Sequence, residues 1–247
     1  MTTAHPWACA ALSAPFCVAL SVALLGPGTA AAAEPPAARD SAADGSPDCV
    51  YHSAQWDVVK KRNTNGILVH KPYAQVTDDE RDPADRRCTV CRGDQTRIDP
   101  KRLGLAKLGG FSVCWAYAQQ VEKALETIAK AGDFDLKAVV GYRPGRTRGA
   151  VVDGKRTQWS NHSFGTAIDL NAFANGLHAS CNVSQATPAT VKRCKLRIGG
   201  AWDPEGRPRL TVTAASSPYR AFAPFWKWGG EISGDIKDFM HFSISGY

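Results

Sequence analysis

Residues 240–245 alternate: Met240, Phe242 and Ile244 make one apolar face, and His241, Ser243 and Ser245 make the other. This is the period-two pattern of a half-buried strand. A second alternation starts at Thr166, with Ala167, Asp169 and Asn171 on one face and Ile168, Leu170 and Ala172 on the other. Over 111–131 the period becomes helical. Val113, Tyr117, Val121, Ala124, Leu125 and Ile128 recur at that spacing and Gly132 stops the run, which predicts a helix. Residues 135–144 predict a strand that turns at Pro144, and Gly66-Ile67-Leu68-Val69-His70 is a further strand candidate. Ser216-Ser217-Pro218 opens a short helix reaching Trp226, with Ser as cap and Pro early in the first turn. The charged stretch 78–87, the basic stretch 145–159 and the long stretch 176–209 read as loops, and Trp226-Lys227-Trp228-Gly229-Gly230 as a tight corner. The order strand, helix, strand, strand, helix, strand predicts an α+β fold, an antiparallel sheet with helices on one side.

Composition narrows the class. A chain of 247 residues, 44% hydrophobic and 21% charged, suffices for one good core and a small extension. The net charge of +7 suits anionic partners such as a membrane surface or acidic wall polymers. No Lys/Arg run dominates, which argues against nucleic acid as a partner. Residues 1–33 read as a secretory signal, apolar over 7–25 and followed by small residues with Ala-x-Ala choices, so the chain is expected to be exported to the cell envelope or beyond. That apolar run is too short for a stable membrane span in the mature chain. Residues 34–48, rich in Ala, Pro, Ser and Asp, read as a disordered linker. Residues 49–105 read as a cysteine-containing extension, and 106–247 as the main domain of a monomer. Cys9 and Cys17 would leave with the signal. Cys49, Cys88, Cys91, Cys114, Cys181 and Cys194 remain, an even set that favours disulfides over metal in an exported chain. Cys181 and Cys194 bracket one loop and are the expected pair; the other four can pair in three ways.

Candidate chemistry gathers on the two alternating runs. His162 lies seven positions before Asp169. That odd offset puts them on opposite faces of a straight strand, so they converge only if the chain bends, and Gly165 supplies the freedom. By themselves the two residues suit a loop cap and a strand-end carboxylate. If the last strand lies beside the first, His241 joins Asp169 on one polar face. Two imidazoles and a carboxylate then form a three-ligand set with an open fourth position, which suits one zinc ion better than magnesium. Asp238, three residues before His241, stands at the strand entrance without being a ligand. It is placed to take a proton from a metal-activated water and pass it to a leaving amine. Arg143 is placed to polarise a scissile carbonyl. Ser160 is a structural or substrate-contacting hydroxyl. His70 and His178 lack partners at ligand spacing and read as surface residues. Arg146 and Arg148 read as solvated loop charges or wall-polymer contacts.

Ser160-x-His162-x-x-Gly165-x-Ala167-x-Asp169, followed by Asp238-x-x-His241-Phe242, resembles the zinc D-alanyl-D-alanine carboxypeptidase family. That family includes VanY-type carboxypeptidases, D-Ala-D-Ala dipeptidases and L-alanyl-D-glutamate endopeptidases of phage lysins, and it shares a fold with the hedgehog signalling domain. The resemblance covers about 111–247 and implies that the domain over 106–247 is a zinc peptidase catalytic domain. It implies zinc on His162, Asp169 and His241, Asp238 as catalytic base, and Arg143 as substrate and oxyanion contact. The implied substrates are peptidoglycan stem peptides, cut either at terminal D-Ala or at L-Ala–D-Glu. Trp226-x-Trp228-Gly229-Gly230 resembles the corner of the endopeptidase-like branch, with Trp228 a substrate contact, although Glu231-Ile232 follows where that branch has Asp-Trp. The competing reading is a non-catalytic, metal-containing binding domain on the same scaffold.

Overall fold

The computed structural model describes residues 40–181 and 186–246, which lie within one unit, Ala37–Tyr247. The expected signal over 1–33, with Cys9 and Cys17, falls outside the described residues. The architecture is mixed α+β. Strands β1 (Asp48–Asp57) and β2 (Arg62–Pro72) form an antiparallel hairpin, and the candidate strand at 66–70 lies inside β2. Next come β3 (Gln95–Ile98), β4 (Phe111–Cys114), helix α1 (Ala118–Ala131) and β5 (Val139–Val140). They are followed by β6 (Arg146–Val152), β7 (Lys155–Trp159), β8 (Ala167–Leu170) and β9 (Leu177–Ala179). The chain continues through α2 (Pro188–Val191), β10 (Lys195–Ile198), α3 (Ser217–Phe222), β11 (Lys227–Trp228), β12 (Lys237–Asp238) and β13 (His241–Ser243). The sheets run β2-β1-β6-β7, β3-β4, β11-β13-β8-β5 and β10-β9-β12. Every pairing is antiparallel apart from one parallel contact between β1 and β6.

Several expectations change on folding. The helix expected over 111–131 starts only at Ala118. The preceding backbone is taken by the β3 ladder, and the Cys114 sulfur is tied to Cys88. The expected strand over 135–144 shrinks to β5, because the Lys137 and Ala138 N–H groups donate to Asn171 Oδ1 at 2.8 and 3.0 Å instead of to a neighbouring strand. The stretch 145–159, expected as a loop, is the β6–β7 hairpin. It turns on Asp153-Gly154 with φ of 48° and 75°, an Asp-Gly pair suited to a two-residue turn. The long stretch 176–209 carries β9, α2 and β10. The short helix α3 has the expected start, with Ser216 as N-cap and Pro218 in its first turn, but it ends at Phe222, four residues early. The end of the expected linker is packed rather than loose: Ala42 is buried, and the Ala43 N–H donates to Asp94 Oδ1 at 2.8 Å.

Two cores result. In the larger one, Val121, Leu125 and Ile128 of α1 face Ile168 and Leu170 of β8, Phe242 of β13, and Phe222, Trp226 and Phe239. Full burial of each such side chain contributes about 1.5–3 kcal/mol. The smaller core joins Tyr51, Tyr73, Val90, Trp159 and Phe164 around two disulfides, Cys49–Cys91 and Cys88–Cys114. Cys181 and Cys194 form the third. Strand pairing crosses position 105 at β3–β4 and at β1–β6, so the N-terminal segment and the motif-bearing segment share sheets. Among the described residues no helix is long and apolar enough to cross a membrane.

The Cys88–Cys114 bridge joins the N-terminal segment to the start of the larger core. Replacing both cysteines by serine is expected to cost about 2–4 kcal/mol, mostly through the freer unfolded chain. A urea titration of the oxidised parent and the double variant measures this, and equal midpoints would count against a stabilising bridge.

Candidate metal centre

The site is built where β8 and β13 lie side by side. Their register sets His241 directly opposite Asp169, with Phe242 opposite Ile168 and Ser243 opposite Ala167. Facing residues of an antiparallel pair point to the same side, so the two polar side chains meet. His162 arrives from the tight 3-10 turn Asn161–Phe164, which ends on Gly165 in the left-handed region at φ 69°. That turn folds His162 back over the Asp169 face. The bend thus falls at the glycine, as the odd spacing required.

A methyl group on Gly165 would come within 2.0 Å of Gln95 Oε1 and 2.4 Å of Cys114 N. Gly165→Ala therefore combines backbone strain with overpacking, and a cost of about 1–3 kcal/mol or more is expected. Thermal melts measure it, and an unchanged Tm would refute the crowding argument.

The three side chains are buried. His162 Nε2 and His241 Nδ1 each lie 3.1 Å from the same oxygen, Asp169 Oδ1. The two rings stand 5.1 Å apart, edge to face. His162 Nδ1 donates to the Gly141 carbonyl at 2.9 Å. A carbonyl only accepts, so Nδ1 holds the proton and Nε2 keeps its lone pair for a ligand bond. Lone pairs and a carboxylate facing one another repel unless a cation or protons lie among them. One ligand atom from each residue lies within 4.8 Å of the others, so His162, Asp169 and His241 could together hold a metal ion. Among the described residues, Asp238 Oδ1 and His241 Nε2 are buried and lack a hydrogen-bond partner, which leaves further polar capacity beside the cluster. The donor set and the fixed ring tautomer fit a resident metal.

Electrostatics separate the two carboxylates. Burial pushes the Asp169 carboxyl up, but His162 and His241 outweigh burial and hold it well below the ordinary range. Burial pushes Asp238 up to about 7, with His241 opposing, Asp169 adding and Arg143 opposing. One carboxylate thus suits ligation and the other suits proton exchange near neutrality. Arg143 follows β5. Its N–H donates to His162 O at 2.9 Å, and its half-exposed guanidinium lies 3.8 Å from Asp169 Oδ2.

The other candidates divide between those placed as expected, Ser160 and His70, and those placed differently. Trp228, expected to contact substrate, is buried, and its indole N–H donates to Phe239 O at 2.8 Å. It braces the strand that carries Asp238. Gly229 packs there too, since a methyl group on it would lie 2.3 Å from Asp238 O. Ser160 is buried at the head of the 3-10 turn. His178, expected at the surface, is buried against Phe239 in β9, because β9 lies between β10 and β12. His70 is exposed, 3.0 Å from Asp48 Oδ2. Arg146 stacks on Trp159 at 4.2 Å and bonds Asp79, and Arg148 donates to Asn161 Oδ1 at 2.6 Å, so neither is a free loop charge. The Gly141 carbonyl is the functional group that sequence reasoning missed. The sequence shows only a glycine before Tyr142-Arg143, and the fold gives its reason: a methyl group on Gly141 would lie 2.2 Å from Ser112 O.

A family model described as D-alanyl-D-alanine carboxypeptidase matches residues 153–244. The match spans His162, Asp169, Asp238 and His241 and ends short of Arg143 on the N-terminal side. It supports a zinc D-alanyl-D-alanine carboxypeptidase-like family. No curated protein and no solved structure matches the chain.

Proposed function

We propose that this protein is an exported zinc peptidase that hydrolyses an amide bond in peptidoglycan stem peptides. The observation that carries the proposal is the convergence of His162 Nε2 and His241 Nδ1 on Asp169 Oδ1, with the unpartnered Asp238 Oδ1 beside them. The peptidase family match supports a peptide substrate, and that family's action on cell-wall peptides supports the stem peptide.

His162, Asp169 and His241 would hold the ion; two imidazoles favour zinc. Zinc, when bound, supplies Lewis acidity that makes a water nucleophilic at neutral pH and withdraws charge from the scissile carbonyl. The chain's own groups do the rest. The Gly141 carbonyl keeps the His162 ring in the ligating tautomer. Asp238 Oδ1 accepts the proton of the attacking water and returns it to the amide nitrogen as the C–N bond breaks. Arg143, exposed enough to meet substrate, donates to the carbonyl oxygen as negative charge develops on it.

The test incubates purified protein with intact peptidoglycan and with synthetic stem peptides, with and without a chelator, and reads the products by mass spectrometry. Loss of terminal D-Ala identifies a carboxypeptidase, and a cut at L-Ala–D-Glu an endopeptidase. Metal analysis of the same protein should return one zinc per chain; protein purified without bound metal would sink the proposal. Zinc present with no product, and Asp238→Ala indistinguishable from the parent in binding wall peptides, would favour a recognition role.

A further inference from the structure

The turn that carries His162 is closed from within and clamped from outside. Inside it, the Thr166 N–H donates to Asn161 O at 3.2 Å and the Ser163 N–H to Ser160 O at 2.8 Å. From outside, the Thr166 hydroxyl donates to Asp82 Oδ2. Asp82 lies 84 residues earlier in the chain and is 2% exposed. Its other oxygen accepts the Ala84 N–H at 2.8 Å, and its own N–H donates to Cys88 O at 2.9 Å. Cys88 is bonded to Cys114, whose N–H donates to Gly165 O at 2.9 Å. Asp82, Cys88, Cys114, Gly165 and Thr166 therefore close a ring of covalent and hydrogen bonds around the end of the turn. Gln95 presses on Gly165 from the same side.

Asp82, Cys88, Gln95 and Cys114 all lie outside the segment 153–244 matched by the family model. Thr166 sits midway between two ligands, four residues after His162 and three before Asp169. A hydroxyl donating to a carboxylate is a short, directional bond, and here it fixes where the turn ends and the strand begins. We propose that Asp82 is a positioning residue for the metal centre. Acting through Thr166, it holds the Asn161–Phe164 turn at the distance from β8 that lets His162 and Asp169 share one ion. The proposal rests on the metal reading above and adds that the N-terminal segment is part of the centre's scaffold.

The experiment titrates zinc into the full-length, oxidised, metal-free protein against a chromophoric chelator. It also records the visible spectrum of the cobalt(II) form, which reports ligand geometry. Thr166→Val keeps the shape and removes the hydroxyl; Asp82→Ala removes the acceptor. Each is expected to weaken zinc binding about 10-fold, the lower end of the range for losing a direct outer partner of a ligand, because Thr166 and Asp82 act through the turn and not on a ligand side chain. The two losses should be less than additive, because both variants cut the Thr166–Asp82 link, while each also removes one further contact, of the Thr166 hydroxyl with Asn161 O at 3.1 Å and of Asp82 with the Ala84 N–H at 2.8 Å. Thr166→Ser restores the hydroxyl and should restore affinity and spectrum. Tyr51→Phe is the control. It removes the buried bond from Tyr51 to Glu80 in the same N-terminal segment, so it should lower Tm and leave affinity within twofold of the parent. If Asp82→Ala does not fold, Thr166→Val and Thr166→Ser still decide. Folded Thr166→Val with parental affinity and an unchanged cobalt spectrum overturns the positioning role and leaves the metal reading intact. A parent protein that takes up neither zinc nor cobalt overturns both.

Discussion

Alanine at His241 is expected to empty the metal centre and take peptide hydrolysis below detection. His241 is one of three ligand candidates, it is buried, and its Nδ1 faces Asp169 Oδ1 at 3.1 Å. Without it the ion keeps one imidazole and one carboxylate, and the buried Asp169 charge loses one of the two rings that hold its pKa low. Binding only to the folded state also stabilises it, by about 2.7 kcal/mol when free zinc is about 100 times Kd. In a chain of this size each kcal/mol is worth roughly 2–4 °C of Tm. A chelator should therefore lower the Tm of the parent and leave that of His241→Ala unchanged. Metal analysis and paired melts check this; a full zinc complement in the variant would exclude His241 as a ligand.

Asp238→Asn separates binding from proton transfer. The amide fills the same space and cannot take a proton, so the variant should retain its metal while kcat/KM falls by about 10²–10⁴. Its stability should move the other way. In the metal-free protein the folded-state value of about 7 lies above the ordinary carboxylate value. Folding therefore favours the neutral carboxyl. That contribution is full at pH values below the ordinary carboxylate pKa and is lost as pH rises through about 7. Above that point the parent buries a charge and the variant does not. Metal-free Asp238→Asn is thus expected to melt higher than the metal-free parent at pH 8, with a smaller gap at pH 5. Melts of both proteins at the two pH values decide it, and a gap that widens toward acid would contradict the burial argument. A gain in stability at the cost of activity is the expected signature of a strained functional group.

Most of the metal cluster could be read from the sequence because its signals are local. Residue type, the odd spacing of His162 and Asp169 with a glycine between them, and the alternation at 166 and 240 are enough to name three candidate ligands and a candidate base once the two strands are taken as neighbours. The fold class follows from the same periodicities. Two of the misplaced elements are ones where distant groups claimed the backbone, whereas the β6–β7 hairpin turns on the local Asp153-Gly154 pair. The first turn of the expected helix went to β3 and to Cys88. The strand expected before Arg143 gave its N–H groups to Asn171 Oδ1. His178 is buried where a surface position is expected, because burial depends on which strands cover a position, and no local pattern encodes that.

The sequence by itself determined the candidate ligand types, the need for a bend near Gly165, and which two strands would have to meet for a site to form. Only the tertiary structure decided that His241 lies in register with Asp169, that the Gly141 carbonyl sets the tautomer of His162, and that Asp238 is desolvated enough to exchange a proton near neutrality. It also decided which cysteines pair and that a carboxylate 84 residues away grips Thr166. The reason is common to all of these. Register, tautomer, desolvation and crosslinking are properties of pairs of groups, and their partners are brought together only when the chain has folded.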